Sequence, residues 1–394
     1  MAAAFFEPAT AAEAAAILAQ ASTARTPVVV QGQRTKLSGR TDVQGARSLS
    51  TRLLTSGLHH YAGDLVATAP AGMTLQAVNA ALATERQWIP IDPPFSGSAT
   101  IGGIVASNDS GPRRHHFGSP RDLVIGMQVA LASGTVAHSG GRVVKNVAGY
   151  DLARLFCGSH GSLGLITSVT FKLAPVAPAS RTVLATFPDL RSAVTSAQAL
   201  ARRAAHAPTA VELIGADPRV PSARVMVRYD TTERSAVQFA TLLVESLRDS
   251  ARDVQTLEGA DETAAWAAHQ QRESAEEGLV CQVSLLPAPC AAFLDAAAHL
   301  VATHGMEWTV TGRPALGVHR LYITGGAEAA GRVAPALRQL VSAHGGHVQF
   351  VRGTAWLPAG TDAMASTGTA AAIGFAVKQR FDPNGILPYP WAHG

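Results

Sequence analysis

The sequence predicts an α+β protein of two lobes, and three observations predict it. A chain of 394 residues is longer than one ordinary core serves, so its length points to two or three domains. Over the second half, strand and helix patterns run β-α-β-β-α-β twice in succession, the order of two split βαβ units with antiparallel sheet and helices on one face. The first half instead carries three separated loops of small residues, Gly32 to Leu37, Ala99 to Gly111 and Gly158 to Gly164.

The elements follow in order. Thr10 and Glu13 have capping-box spacing ahead of the helical AAAILAQA, and PVVV from Pro27 reads as a strand that runs into the turn QGQRTKLSGR. DLVATAPAG from Asp64 is a second strand, followed by a helix capped by Thr74, TLQAVNAALATE. A long loop holding Ala99 to Gly111 comes next. LVIGMQVALASGTVAHSGG reads as two strands around a two-residue turn at Ser133-Gly134, and GSLGLITSVTFKLAP supplies another strand. Pro175 and Pro178 then punctuate the chain, which places the boundaries at 1–177, 178–352 and a terminal 353–394 that returns to the first lobe. The middle lobe holds strands near 181–187, 209–215, 223–230 and 253 with helices from about 189 and 232. A helical bridge around Trp266 leads to a second ferredoxin-like unit of the same order.

A hydrophobic share of 47% against 15% charged residues describes a chain with a substantial core. The formal charge of +4 is small for this length and the basic residues form no block, so nothing calls for nucleic acid, while mild basicity suits an anionic ligand. Cys157, Cys281 and Cys290 form no CxxC pair and cannot all be disulfide-bonded, which suits a reducing cytoplasm. An iron–sulfur cluster usually takes four thiolates, more than this chain has. The apolar start MAAAFFEPATAAEAAAILAQASTA lacks a basic n-region and carries Glu7 and Glu13, so it reads as mature protein. No uninterrupted run of about 18 apolar residues occurs, and membrane association is expected only at the periphery of the inner membrane or through a partner.

Exposed N–H groups in a glycine turn form an anion-binding concavity, and glycine admits a phosphate where a Cβ would clash. Gly32, Thr35 and Lys36 suit a pyrophosphate, although such a turn by itself is more often an ordinary strand connection. The chain has no G-x-G-x-x-G opening a helix after a strand and no G-x-x-x-x-G-K-[ST], so neither a Rossmann site nor a nucleotide-triphosphate loop is supported. A cradle assembled from several loops suits a long ligand with phosphates, a sugar chain and a flat ring.

VVVQGQRTKL, SATIGGIVASNDSGPRRHHFGSPRDLVIG, GGRVVKNVAGYDLARLFCGSHGSLGLITSVTFKLAP and the terminal KQRFDPNGIL together resemble the FAD-linked oxidases of the vanillyl-alcohol-oxidase/p-cresol-methylhydroxylase family, most closely its glycolate-oxidising members. The resemblance implies a p-cresol-methylhydroxylase-type FAD-binding lobe of two subdomains beneath an antiparallel cap. Carried over by position, Gly32, Gln33, Arg34, Thr35, Lys36 and Leu37 match the pyrophosphate turn. Ala99, Thr100, Ile101, Gly102 and Gly103 match the loop beside the ribityl chain and flavin, which Ser107, Asn108 and Gly111 continue. Gly158, Ser159, Gly161, Leu163, Gly164 and Ile166 match the third FAD segment, with His160 and Ser162 where many relatives carry Glu and Thr. Covalent attachment in the family uses His or Cys, which the first loop lacks, so the resemblance implies noncovalent FAD. Cys157, beside the third loop, reads as a small buried hydrophobe.

Relatives that oxidise 2-hydroxy acids themselves often carry H-x-x-G-x-G-N-x-H in the cap, where this chain reads GRPALGVHRLYITGG with only His319. The resemblance therefore implies no metal and a division of labour. The chain is expected to be the FAD-binding subunit of a heteromeric glycolate oxidase, beside a homologous catalytic flavoprotein and an iron–sulfur subunit, with a small 2-hydroxy acid as substrate. A free-standing FAD-dependent hydroxy-acid dehydrogenase and a non-catalytic assembly subunit are the alternatives. Arg113, Arg114, His115 and His116 suit an anionic substrate or a partner face equally. Arg320, with Glu212 and Arg228, sits on a cap strand from which it faces the flavin or the opposite side. Asp151 is expected to cap the helix from Leu152, and His344 and His347 to end a helix rather than bind metal.

Overall fold

The computed structural model describes residues 4–35, 43, 45–142, 151–202, 206–215, 222–274, 278–358, 361 and 369–388. It divides into two compact units, one of Met1–Gly111, Phe117–Val176 and Ala365–Gly394, the other of Pro112–His116 and Ala177–Met364.

Among the described residues the first unit contains three sheets, one of them only two-stranded. β1 (Phe5–Phe6), β2 (Val28–Gln31) and β3 (Arg47–Ser50) form a parallel sheet of order β1-β3-β2, with α1 (Ala11–Thr23) between β1 and β2 in the chain. The Thr10 side chain accepts the Glu13 N–H at 3.1 Å, as the sequence predicts for this cap. Ala14, Leu18 and Ala21 of α1 pack with Val28 and Leu49 in one small core. Further along come β4 (His59–Tyr61), β5 (Val66–Pro70), α2 (Leu75–Leu82) and β6 (Gln87–Trp88).

Beyond these the chain forms α3 (Ile101–Ser107), the turn α4 (Arg114–Phe117), α5 (Pro120–Leu123), β7 (Val124–Ala130), β8 (Val136–Gly140), α6 (Leu152–Phe156), β9 (Leu165–Lys172) and β10 (Ala174–Pro175). Strands β4, β5, β9, β7 and β8 make an antiparallel sheet in that order. Its core joins Ala67 and Ala69 to Leu75, Val78, Ile101, Ile104 and Val105.

Two local expectations differ here. The β7–β8 connection is longer than a two-residue turn, closed by the Leu131 N–H on the Thr135 carbonyl at 2.9 Å, with Gly134 at φ 85°. The segment after Ala99, expected as loop, is helical over α3. Thr100 caps it from an extended conformation, its hydroxyl accepting the Gly103 N–H at 3.3 Å. Glycines disfavour a helix interior by about 1 kcal/mol each. The register nevertheless buries Ile101, Ile104 and Val105, and a Cβ on Gly102 would stand 2.9 Å from that of Ala71.

The second unit is one eight-stranded sheet made of two equal halves. The first half runs β11 (Ala179–Phe187), α7 (Leu190–Ala201), β12 (Ala210–Gly215), β13 (Ala223–Thr231), α8 (Glu233–Leu247) and β14 (Asp253–Leu257). After α9 (Gly259–Glu273), the second half runs β15 (Leu279–Ser284), α10 (Cys290–Thr303), β16 (Glu307–Arg313), β17 (Val318–Thr324), α11 (Ala327–Ala343) and β18 (His347–Arg352). The sheet order is β14-β11-β13-β12-β16-β17-β15-β18, antiparallel throughout, so two ferredoxin-like units join where β12 pairs with β16.

Strand residues alternate between faces. Val183, Ala185, Val211, Leu213, Val225 and Val227 point to the core shared with α7, α8, α10 and α11. Contrary to a sheet with helices on one face only, α9 covers the other side, because its Glu262 and Glu273 accept hydrogen bonds from Thr182 and Thr311 of the strands there.

Two segments group differently from the expected boundaries. Pro112–His116 belongs to the second unit, where Arg113 pairs with Asp230 at 3.3 Å. The return to the first unit comes later than 353, since Thr354–Trp356 makes a 3₁₀ turn and Trp356 and Leu357 pack on the second unit's core. The described part of that return is α12 (Thr369–Phe381). Among the described residues, no helix is long and apolar enough to cross a membrane.

Candidate functional site

A cleft opens in the first unit where three segments converge. β2 delivers Gln31 and releases the chain into the turn Gly32–Thr35, with Arg34 held at φ 62°, a left-handed conformation that non-glycine residues rarely adopt. A Cβ on Gly32 would stand 2.3 Å from the Thr100 hydroxyl, so this turn presses on the cap of α3. The third segment passes Gly158 (φ 83°), His160 (φ 51°), Gly161 (φ 81°) and Gly164 (φ 159°). It is tied to α3 through the Gly158 N–H on the Val105 carbonyl at 3.0 Å and the His160 N–H on the Ala106 carbonyl at 2.8 Å.

The empty space between these segments, counted together with the solvent at its open mouth, is about 580 Å³. Arg34 and His160 line it, and among the described residues no carboxylate does, which favours an anionic guest. Gln31 Oε1, Thr51 Oγ1 and Ser159 Oγ are buried without a hydrogen-bond partner among the described residues. Each such atom costs about 1–3 kcal/mol unless something supplies the missing bond. Gln31 and Thr51 face the cleft itself. Close-packed glycines, an arginine and orphaned buried polar atoms together fit a large phosphate-bearing ligand.

A family model described as FAD binding domain matches residues 2–140. Residues 2–140 are an FAD binding domain. Glycolate oxidase subunit GlcE of Escherichia coli (strain K12) is 41% identical over 157 residues, 40% of this chain and 45% of that protein. Glycolate oxidase subunit GlcD of Bacillus subtilis (strain 168) is 36% identical over 182 residues, 46% of this chain and 39% of that protein. A D-lactate dehydrogenase of Archaeoglobus fulgidus is 33% identical over 199 residues, 50% of this chain and 44% of that protein. The chain thus spans less than half the length of these relatives. A solved structure of alkyldihydroxyacetonephosphate synthase shares the fold, with a TM-score of 0.76 at 15% identity, covering 99% of this chain and 77% of that one.

Within the first unit, the structure brings most of the sequence-predicted positions to the cleft wall. Gly32, Gln33, Arg34 and Thr35 line it from the first loop, Thr100, Gly102, Gly103 and Ser107 from α3, and Gly161, Gly164 and Ile166 from the third segment. Lys36 and Leu37 lie outside the described residues. The remaining positions are absent from the wall and support it from behind. Ala99, Ile101 and Leu163 are core residues. Asn108 ends α3 at φ 48° and accepts the Arg121 N–H at 3.1 Å, while Gly111 lets the backbone approach Asp92, whose carbonyl oxygen would stand 1.9 Å from a Cβ. Gly158 and Ser159 shape the third turn.

Val30, Gln31, Thr51, Ala106 and His160 also line the cleft and were not among the predicted binding residues. Val30 and Gln31 precede the first loop directly, so extending it backward would have found them. Thr51 follows β3 and has no sequence signal. Burial pushes the Cys157 thiol up to about 12, which keeps it protonated and poorly nucleophilic.

The other candidates belong to the second unit. Arg113 shares Asp230 with Arg228, whose Nε lies 2.7 Å from Asp230 Oδ1. Burial, reinforced by His116, lowers the pKa of His115. Arg114 opens the single turn α4. Arg320 is buried with its guanidinium 3.1 Å from Glu273, and Arg313 lies 3.0 Å from Glu212 and 3.5 Å from Glu273. Burial raises the Glu273 carboxyl, but Arg320 and Arg313 outweigh it and hold the pKa at about 2.

His269, with Glu212 and Glu273, completes a buried trio whose donor atoms all lie within 4.8 Å of one another. Two carboxylates balanced by two guanidiniums leave the cluster close to neutral with an uncharged imidazole, and a divalent cation there would meet both arginines. His319 is fully buried with Nε2 at 3.3 Å from Cys290 Sγ, and Asp151 caps α6 by accepting the Arg154 N–H at 3.3 Å.

Proposed function

We propose that the chain is the FAD-binding subunit of a glycolate-oxidising enzyme, working beside a homologous catalytic flavoprotein and an iron–sulfur subunit. The observation that carries this reading is the 41% identity to the glycolate oxidase subunit GlcE over 157 residues. FAD, when bound, accepts a hydride from the carbon bearing the hydroxyl of a 2-hydroxy acid. The chain's own contribution is to hold FAD.

Gly32, Gln33, Arg34 and Thr35 are assigned to the pyrophosphate, with the Arg34 guanidinium supplying positive charge. Thr100, Gly102, Gly103 and Ser107 are assigned to the ribityl chain and ring, and Gly161, Gly164 and Ile166 to the opposite wall. Gln31 and Thr51 offer their orphaned oxygens to ligand hydroxyls. Attachment is noncovalent, in keeping with a protonated Cys157. Acid precipitation tests that point, because flavin remaining with the pellet would refute it.

The division of labour rests on the cap. At the place of the family's metal motif, His319 sits against Cys290. Burial, helped by Arg313, lowers its pKa to about 3. Arg320 is neutralised by Glu273. These groups are engaged with one another and do not form a carboxylate-binding pair. Purified alone, the chain is expected to show a flavin spectrum and to turn over glycolate poorly. Rapid anaerobic bleaching of the isolated chain by glycolate or D-lactate would favour a free-standing dehydrogenase instead. Affinity purification from the native cell, with flavin and iron assays on the eluate, tests the partners.

A further inference from the structure

The terminal segment KQRFDPNGIL contributes nothing to the cleft wall, yet it reaches two of the three segments that form it. Lys378, on α12, is 6% exposed. Its ammonium donates to the Ser162 carbonyl at 2.9 Å and the Leu387 carbonyl at 2.6 Å, and pairs with Asp382 one turn on. Asp382, 2% exposed, accepts the N–H groups of Ile386 at 3.1 Å and Leu387 at 2.7 Å.

Each partner leads to a wall of the cleft. Ser162 belongs to the third segment, and its hydroxyl donates to the Ser159 carbonyl at 2.6 Å, closing the turn that carries His160 and Gly161. On the other side, the Ile386 carbonyl accepts the Val28 N–H at 2.7 Å, at the start of the strand that ends in the Gly32–Thr35 turn. The walls also touch directly, since a Cβ on Gly161 would stand 3.2 Å from that of Val30. One buried ammonium and its carboxylate therefore tie the third segment to the first strand. A charged group this buried is held in place by the directionality of its bonds, because leaving any of them unmade is costly.

We infer that Lys378 and Asp382 are positioning residues for the cofactor. They fix the spacing between the pyrophosphate turn and the third segment, so FAD affinity depends on an ion pair that does not line the cleft. The inference rests on the proposed seat of FAD in that cleft.

The test uses the full chain with FAD as the probe, at a temperature where circular dichroism shows every apoprotein folded. Lys378→Met is expected to weaken FAD binding on the order of tenfold or more, the size of one lost charge-assisted hydrogen bond, and to blur the vibronic structure of the bound flavin's visible band. Lys378→Arg is expected to recover most of the affinity. Leu82→Ala, a core truncation at the end of α2, serves as a destabilised comparator and should keep the wild-type dissociation constant. Should Lys378→Met fail to fold, Asp382→Asn, which keeps shape and removes the charge, takes its place under the same outcomes. Wild-type affinity in the folded variant, or an equal loss in Leu82→Ala, would overturn the inference. If Gly32→Val leaves FAD binding untouched, the seat of FAD is what fails instead.

Discussion

The two units solve opposite problems with buried polarity. In the first unit, polar atoms at the cleft are left open: Gln31 and Thr51 have orphaned oxygens near glycines packed so closely that a Cβ would collide. In the second unit, charge is turned inward, with Glu212 against Arg313 and Glu273 against Arg320 between α9 and the sheet. The difference teaches where to look for a ligand. Open polar atoms with close backbone approach mark a binding wall, whereas in the second unit the buried carboxylates and guanidiniums offset one another's charge.

The comparison breaks most readily at Glu273. Glu273→Ala removes the carboxylate beside Arg320 and one of the two beside Arg313, and is expected to cost about 3–5 kcal/mol of stability, read from urea unfolding, while FAD affinity of the folded protein stays at the wild-type value. Equal loss of FAD affinity would mean that the cluster serves the cofactor. The converse change, Gly32→Val, places carbon against the Thr100 hydroxyl. It is expected to lower FAD affinity about 10- to 100-fold, the equivalent of 1–3 kcal/mol of overpacking; an unchanged flavin-to-protein ratio would remove the first loop from the site.

A graded effect comes from pH. Burial is the main cause that holds His269 down to about 4 and His319 down to about 3, against an ordinary value of 6.5. In both, the unfolded chain binds the proton more readily, so their stabilisation is complete above pH 6.5 and is lost as the pH falls toward 4 and 3. The thermal midpoint should decline steadily over that window, and His269→Asn should flatten the decline. A wild-type midpoint that holds steady down to pH 4 would contradict the buried neutral state. The smallest expected change is at the helix caps. Thr74→Ala in the FAD domain and Thr232→Ala in the second unit each remove one N-cap acceptor, about 1 kcal/mol apiece, and denaturant midpoints should show similar losses.

Legibility varied with the range of the interactions. The second unit's element order was readable because alternation on strands and the helical period are local, and the same order occurs twice. The three small-residue loops were readable because glycine at a positive φ or against a neighbouring backbone has few substitutes. Sequence reasoning missed the helix over Ile101–Ser107, since Gly102 and Gly103 argue against helix until Ala71 is seen to leave no room for a side chain. It also missed Thr51, which reaches the cleft only because β3 lies beside β2.

By itself, then, the sequence determined what local patterns encode: two lobes, a tandem of βαββαβ units, capped helices at Thr10, Thr74 and Asp151, and loops of small residues suited to close approach by a phosphate-bearing cofactor. The tertiary structure decided what depends on residues far apart in the chain meeting. It turned Arg320 from an active-site candidate into the partner of Glu273, 47 residues away. It gave the terminal lysine a role at Ser162, 216 residues away. The physical reason is that propensity and periodicity act within a few residues, whereas the worth of a charge or an unpaired oxygen is set by whatever the fold brings within 3 Å of it.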